Sequence, residues 1–278
     1  MSYTKFRPSI FSRHPSHDPF RRKHKKMALL PFKSVVRFGS STNVYDNRTE
    51  LNSVNAIKNS ASKLKMKTCF AKDNVVTANW WLLANNKFIS GIDDSIIELD
   101  QIPLPIVAKK YFGSRGQGNT ILKTNEEVKI YVEDNPSNVL YEQYYNFARE
   151  YRLHVNNEGC FYTCRKMLKS DAPENARWFR NDSNCIWALE SNPNFDKPVN
   201  WDNIVSECVK ALKSVSLDFG AIDLRVQSAT DNEGNTRENP EFIIVEINSA
   251  PSMGEITLQK YMEEIPAMLK RKYNNLNN

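Results

Sequence analysis

The spacing of apolar positions changes along the chain, and each spacing predicts a different element. In WDNIVSECVKALKSVSL (201–217), Ile204, Val205, Cys208, Val209, Leu212 and Val215 recur at intervals that place them on one face of an amphipathic helix. ELNSVNAIKNSASKLKMKTCFAK (50–72) also reads as helical, with a break near Ser60 and Ser62 that can cap a second helix. Runs of β-branched residues predict strands instead. KSVVRFGSST (34–42) ends in a glycine turn, and PLPIVAKKYF (103–112) leads into the loop GSRGQG (113–118). NTILKTNEEVKIYVED (119–134) reads as a short strand and then a helix opening at Thr124. NVLYEQYYNFAREYRLHVNNEGCFYTCRKML (138–168) is rich in strand formers, and its NNEG is a hairpin turn. GAIDLRVQ and EFIIVEIN are two strands joined by the polar loop SATDNEGNTRENP, and EITLQKYMEEIPAMLKRKY closes the chain as a helix that Pro266 can kink. Hairpins mixed with helices give an α+β pattern with no internal repeat.

Composition narrows the class without changing it. A chain of 278 residues suggests roughly two domains, and 40% hydrophobic with 25% charged residues is ordinary for a globular protein. No apolar run approaches a membrane span, and ALLPF (28–32) is too short for a signal-peptide core. Five scattered cysteines read as free thiols in a reducing, cytoplasmic setting, since Cys160 and Cys164 have no second pair to complete a zinc site. His154 alone among four histidines lies outside the N-terminal tail, which argues against a histidine-rich centre. Charge does change the picture. Residues 1–26 carry eight Lys and Arg against Asp18 alone, a net +7, and the whole chain carries only +6. With Pro8, Pro15 and Pro19 in it, this segment reads as a disordered basic arm, either a solubility feature or a contact for a polyanion.

Three glycines in six residues, Gly113, Gly116 and Gly118, let backbone N–H groups approach phosphate oxygens, and Lys109 lies four residues before the first of them. Familiar phosphate motifs do not fit. Gly118 is followed by Asn119 and Thr120 rather than Lys-Ser/Thr, and no third glycine completes a dinucleotide fingerprint. DFG at 218–220 follows APE at 172–174 instead of preceding it, and no HRD is present, so a protein kinase is excluded.

Several ordered segments together resemble the ATP-grasp superfamily, and within it the carboxylate–amine ligases that include the ribosomal-protein glutamate ligases. They are SKLKMKTCFAKDNVVTANWW, PIVAKKYFGSRGQG, VLYEQYYNFAREYRLHV, WFRND, AIDL and VEINSAP, spread over residues from about 60 to 270. The resemblance implies an α+β fold of two subdomains sandwiching ATP, with a basic arm at 1–26, a reduced N-terminal α/β region at 27–60, a small subdomain at 61–145 and a C-terminal subdomain at 146–278. It implies nucleotide contacts by Lys63, Lys109, Gly113, Ser114, Arg115, Gly116, Gln143, Tyr144, Glu150 and Asn181. Arg152, Arg165 and Arg180 would act on the transferring phosphate, and Asp223, Glu246 and Asn248 would hold Mg²⁺, with Mn²⁺ as a substitute. The implied reaction joins a small-molecule or peptide carboxylate to an amine through an acyl phosphate, releasing ADP and phosphate. NSAPS, with Ser252, departs from the family's NxxPG segment, and Arg180 and Asn181 are adjacent where the glutamate ligases separate them.

The residues carry part of this chemistry on their own. Glu246 and Asn248 are two apart, so they project from one face of a strand whose Ile247 faces the other, and oxygen-only donors suit magnesium. Lys109 interrupts an apolar strand, with Lys110 on the alternate face. Arg152 and Arg165 lie on the two strands of one hairpin, and each could equally pair with Glu142 or Glu150 across strands. A small-molecule kinase and a nucleotide-binding module without turnover remain open alternatives, as does an oligomer.

Overall fold

Residues 5–13, 18–42, 45, 47–113, 118–135, 137–181 and 183–277 are described by a computed structural model. Ser114, Arg115 and Gly116 lie outside the described residues.

The chain begins with a three-stranded parallel sheet, β1 (Ser9–Ser12), β2 (Ser34–Phe38) and β3 (Thr49–Leu51), in the order β1-β2-β3. α1 (Asp18–Lys23) lies between β1 and β2 in sequence. This corrects the expectation of a disordered arm. Ser9–Ser12 pairs with β2, Phe6 bridges Leu30, and Phe20 is wholly buried with its ring 5.1 Å from that of Phe38. The charges hid a sparse apolar set, because Arg22, Lys23, Lys25 and Lys26 stay exposed while Phe20 and Met27 enter the core. β3 is a second correction, since Thr49–Leu51 extends where a helix was expected and the helix starts only at Val54.

α2 (Val54–Ala61) and α3 (Lys63–Lys72) follow, capped by Ser53 and Ser62, whose hydroxyls accept from the backbone N–H of Ala56 and Lys65. β4 (Trp80–Ala84), β5 (Lys87–Ser90), β6 (Ile96–Glu98), β7 (Ile106–Lys110), β8 (Asn119–Leu122) and β9 (Val139–Gln143) form an antiparallel sheet in the order β6-β5-β4-β9-β7-β8. α4 (Asn125–Asp134), capped by Thr124, covers one face through Val128 and Val132. β10 (Arg149–Asn156), β11 (Gly159–Leu168), β12 (Cys185–Leu189), β13 (Phe219–Val226) and β14 (Phe242–Asn248) make a second antiparallel sheet, ordered β12-β11-β10-β13-β14. α5 (Trp201–Ser214) packs on one face of it with Ile204, Cys208, Ala211 and Leu212 buried. Met66 and Phe70 of α3 join that same core, while Lys67 of the same helix lies 3.4 Å from Glu142 of β9, so α3 touches both sheets. α6 (Glu255–Asn277) runs back to cover the N-terminal sheet through Leu258, Tyr261, Ile265 and Leu269, with Pro266 inside it. Among the described residues no helix is long and apolar enough to cross a membrane.

One close contact in the six-stranded sheet joins β4 to the residue that follows β5. A Cβ added at Gly91 would stand 2.1 Å from the Trp80 indole, and the Gly91 N–H donates to the Trp80 carbonyl at 2.9 Å. Gly91→Ala is expected to displace the indole and cost about 1–3 kcal/mol, the usual range for overpacking a filled site. Denaturant titration measures it, and an unchanged midpoint would show that the ring swings aside freely.

Candidate active site

The faces of the two antiparallel sheets not covered by α4 and α5 meet across a cleft. Alternation along β7 aims Val107 and Lys109 into it, while Lys110 points to the other side and reaches Asn135 Oδ1 at 2.6 Å. β9 supplies Glu142 and Gln143, and the chain crosses through Tyr144 and Tyr145 to the second sheet. There β10 contributes Glu150, β11 Lys166, β13 Asp223 and Arg225, and β14 Ile243, Val245 and Glu246, with Trp178, Phe179 and Arg180 closing the side. One end is therefore aliphatic and aromatic and the other densely charged, a layout suited to a flat ring carrying a polyanionic tail.

Three of its four carboxylates, Glu142, Glu150 and Asp223, are paired with lysines and arginines. Glu142 Oε2 accepts from Lys109 Nζ at 2.7 Å, and Lys67 Nζ lies 3.4 Å from Oε1. Burial alone would raise the Glu142 carboxyl, but the two lysines hold it below the usual carboxylate range. Glu150 faces Lys166 at 3.0 Å, Arg225 at 3.0 Å and Arg180 at 3.4 Å, and these cations lower its carboxyl against the same burial. Asp223 takes Arg152 through two nitrogens, at 2.7 and 2.8 Å, and Lys166 at 2.8 Å. Glu246 has no cation within ion-pair distance among the described residues, and its Oε1 accepts only from the Asn248 amide at 3.2 Å. Lys63 donates to the Gly113 carbonyl at 3.1 Å, and burial lowers its ammonium despite the attraction of Glu246.

Arg165 corrects the expectation. It binds the Asn194 carbonyl at 2.9 Å and Asp196 at 3.2 Å and lies over Tyr151, on the α5 side of the sheet. A bulge is responsible. Val155 pairs with Cys160 but His154 pairs with Tyr162, so Phe161 is extra and Arg165 stands opposite Tyr151. Lys166 takes the place opposite Glu150 on the cleft face, and sequence reasoning missed it. Asn181 spends its amide oxygen on the N–H groups of Ser183 and Asn184 at 2.9 and 3.2 Å, which shapes the loop beside Arg180 and leaves it outside the cleft lining. Arg225 and Lys67 were also missed. Two-residue spacing from Asp223 would have pointed to Arg225, which packs over the Tyr144 ring at 5.5 Å. Nothing in the helical pattern separates Lys67 from its exposed neighbours.

Lys67 is wholly buried, and burial lowers its ammonium to about 8, with Glu142 opposing that shift. The unfolded chain therefore holds a proton that the folded chain has lost between about pH 8 and 10.5, so this residue adds stability as pH rises through that window. The melting temperature of the wild type relative to Lys67→Met is expected to climb from pH 8 to 10. A flat difference would mean that Lys67 titrates normally.

Among the described residues no three His, Cys, Asp or Glu side chains converge as a ready-made metal cage. Magnesium commonly needs only one or two carboxylates when phosphate oxygens and waters complete its shell. Glu246 fits that role because no cation among the described residues pairs with it, and Asn248 sits beside it. Asp223 would have to share oxygens already engaged by Arg152 and Lys166.

No family model matches the sequence, and no curated protein matches it. Solved structures do match in three dimensions. The D-alanine–D-alanine ligase of Bacillus anthracis aligns over 97% of both chains with a TM-score of 0.61 at 12% identity. The same enzyme complexed with ATP aligns over 96% of this chain and 98% of its own, with a TM-score of 0.63 at 12% identity. Carboxyaminoimidazole ribonucleotide synthase of Aspergillus clavatus, complexed with ATP, aligns over 85% of this chain and 60% of its own, with a TM-score of 0.59 at 14% identity. On that likeness, the two facing sheets, the helices behind them and the charged cleft between them make up an ATP-grasp fold.

Proposed function

We propose that the chain is an ATP-dependent carboxylate–amine ligase, sharing its reaction type with the ribosomal-protein glutamate ligases that its motifs resemble. The observation that carries this reading is the division of charge in the cleft. Lysines and arginines neutralise Glu142, Glu150 and Asp223, while Glu246 is left for a cation that would arrive with the nucleotide. Val107, Ile243, Val245 and the Tyr144 ring would hold the base, and Gln143 and Lys109 line the path to the phosphates.

A carboxylate is a poor acyl donor because its oxygen leaves badly. Transfer of the γ-phosphoryl group to that oxygen, with ADP leaving, gives an acyl phosphate. The amine nitrogen then attacks the acyl carbon, phosphate departs with the electrons of the C–O bond, and the nitrogen loses a proton. Lys109, Lys166 and Arg180 supply fixed positive charge toward the phosphates, and Lys63 tethers the start of the glycine loop at Gly113. Glu246 and Asn248 would hold Mg²⁺, which supplies charge neutralisation between phosphate oxygens.

The test is sustained Mg²⁺-dependent release of ADP and phosphate. A ligase requires both a carboxylate and an amine, a kinase requires one acceptor, and a binding module shows no release. Lys109→Ala is expected to weaken ATP binding by about tenfold or more, since a phosphate loses a point charge in a partly dry cleft. Lys110→Ala, whose side chain points away from the cleft, is expected to change it less than twofold. Isothermal titration compares them, and equal losses would remove Lys109 from the phosphate path.

A further inference from the structure

A second cavity, of about 350 Å³, opens on the same face of the five-stranded sheet, between β10–β12 and the segment leading into α6. Its lining contrasts with that of the nucleotide cleft. Among the described residues it includes no Asp, Glu or Lys, and Arg152 is its single charged residue. Cys164, Trp187, Tyr162 and Met253 give it an apolar body. His154 adds no charge, because burial, with Arg152 beside it, depresses the imidazole to about 3.

The charged end lies toward the cleft. Arg152 pairs across strands with Asp223, which pairs in turn with Glu246, so the guanidinium stands two strands from the carboxylate assigned to the metal. Strand neighbours are about 5 Å apart, so Arg152 and Glu246 are about 10 Å apart, a gap that a carboxylate held by one and a phosphoryl group at the other can close between them. Two guanidinium nitrogens, Nε and Nη2, are bound to Asp223, while Nη1 makes no hydrogen bond among the described residues. The Trp187 ring covers the guanidinium at 5.1 Å and the Lys166 ammonium at 5.6 Å, which screens this end from solvent.

We propose that this cavity holds the acyl substrate, with its carboxylate at Arg152, and that this substrate is a small monocarboxylic acid with an apolar or aromatic body. The proposal rests on the ligase reading and adds the substrate class to it. A second carboxylate, or the ammonium of an amino acid, would be desolvated beside Trp187 and Met253 with no counter-charge in the lining, which is strongly unfavourable. A volume of about 350 Å³ accepts a body the size of a phenyl ring with a short chain.

The experiment uses the full chain with ATP, Mg²⁺ and hydroxylamine as the amine, so that the acyl phosphate is trapped as a hydroxamate whatever the natural amine is. 3-Phenylpropionate and hexanoate are compared with glutarate and glutamate. The expected result is kcat/KM at least tenfold higher for the two apolar acids. Trp187→Ala and Met253→Gln should each reduce that preference by about tenfold, the effect of removing one buried apolar contact, and leave ATP affinity unchanged. Trp187 is 37% exposed on an edge strand, so its truncation should spare the fold. A preference for glutarate or glutamate, or a preference that neither variant moves, overturns the proposal and leaves the ligase reading standing. If no acid yields hydroxamate, the ligase reading falls, and titration of 3-phenylpropionate in the presence of a non-hydrolysable ATP analogue decides the cavity separately. Binding lost in both variants upholds the ligand class, and no binding overturns it.

Discussion

Glu246→Gln is expected to lower Mg²⁺-dependent ADP release by at least a hundredfold while leaving the melting temperature within a few degrees of wild type. The magnitude follows from removing one of the few hard anionic ligands available to a cation that neutralises transferring phosphate, an electrostatic contribution of about 3 kcal/mol or more. The fold should tolerate the change because Glu246 anchors no lysine or arginine among the described residues. The hydrogen bond that its Oε1 accepts from the Asn248 amide at 3.2 Å can be made by a glutamine oxygen. ATP affinity should also lose most of its dependence on Mg²⁺, which titration reads without turnover. Wild-type release from Glu246→Gln would remove the metal assignment and much of the proposed reaction with it.

Asp223→Ala should do the opposite and fail in the fold first. Asp223 is 4% exposed and receives two bonds from Arg152 and one from Lys166. Lys166 keeps Glu150 when Asp223 is removed, but Arg152, whose side chain is only 15% exposed, is left with no carboxylate partner among the described residues. Breaking such a pair from one side costs about 3–5 kcal/mol, on the order of 10 °C in a chain of this size. Replacing both partners, as in Arg152→Met with Asp223→Leu, should restore most of the loss. Acid supplies a second check. Burial alone would raise the Asp223 carboxyl, yet Arg152 and Lys166 hold it well below the usual range. The stability it contributes is then fully present above the unfolded carboxylate value of about 3.9 and is lost as pH falls toward the folded value. The gap between wild type and Asp223→Ala should therefore narrow only below about pH 4. A gap that is absent at pH 7 would mean that Asp223 is not the counter-ion of this network.

Periodicity and local chemistry made much of the fold legible. α5 followed from six apolar residues at helical spacing, five of which lie in the buried core or pack against it, as Ile204, Cys208, Leu212, Val215 and Val205. Ser62 and Thr124 cap α3 and α4 as their positions suggested, because a hydroxyl three residues before a free N–H closes the first turn wherever the helix lies. β6 and β12 left no such trace. Ile96 is 62% and Ile186 52% exposed, so these edge strands lack the alternation that marks a half-buried strand. β2 was expected within 34–42, but β1 and α1 were hidden differently, since seven net positive charges outweighed Phe20 and Met27, whose burial depends on α6 arriving from the far end of the chain.

The sequence by itself determined which face of a strand a neighbour takes wherever no bulge intervenes, because side chains alternate there. It follows that Glu246 and Asn248 share a face, that Ile247 enters the core, and that Lys109 and Lys110 part company. Relations between strands belong to the tertiary structure. Without the bulge at Phe161, the NNEG turn would set Arg165 opposite Glu150 on the cleft face; with it, Lys166 stands there and Arg165 turns toward α5. One extra residue inverts the faces of everything beyond it, and its position depends on how β10 is gripped by β13 on its other side. The same holds for Lys67 and Glu142, which lie on a helix and a strand 75 residues apart in sequence and become partners only when the two sheets close.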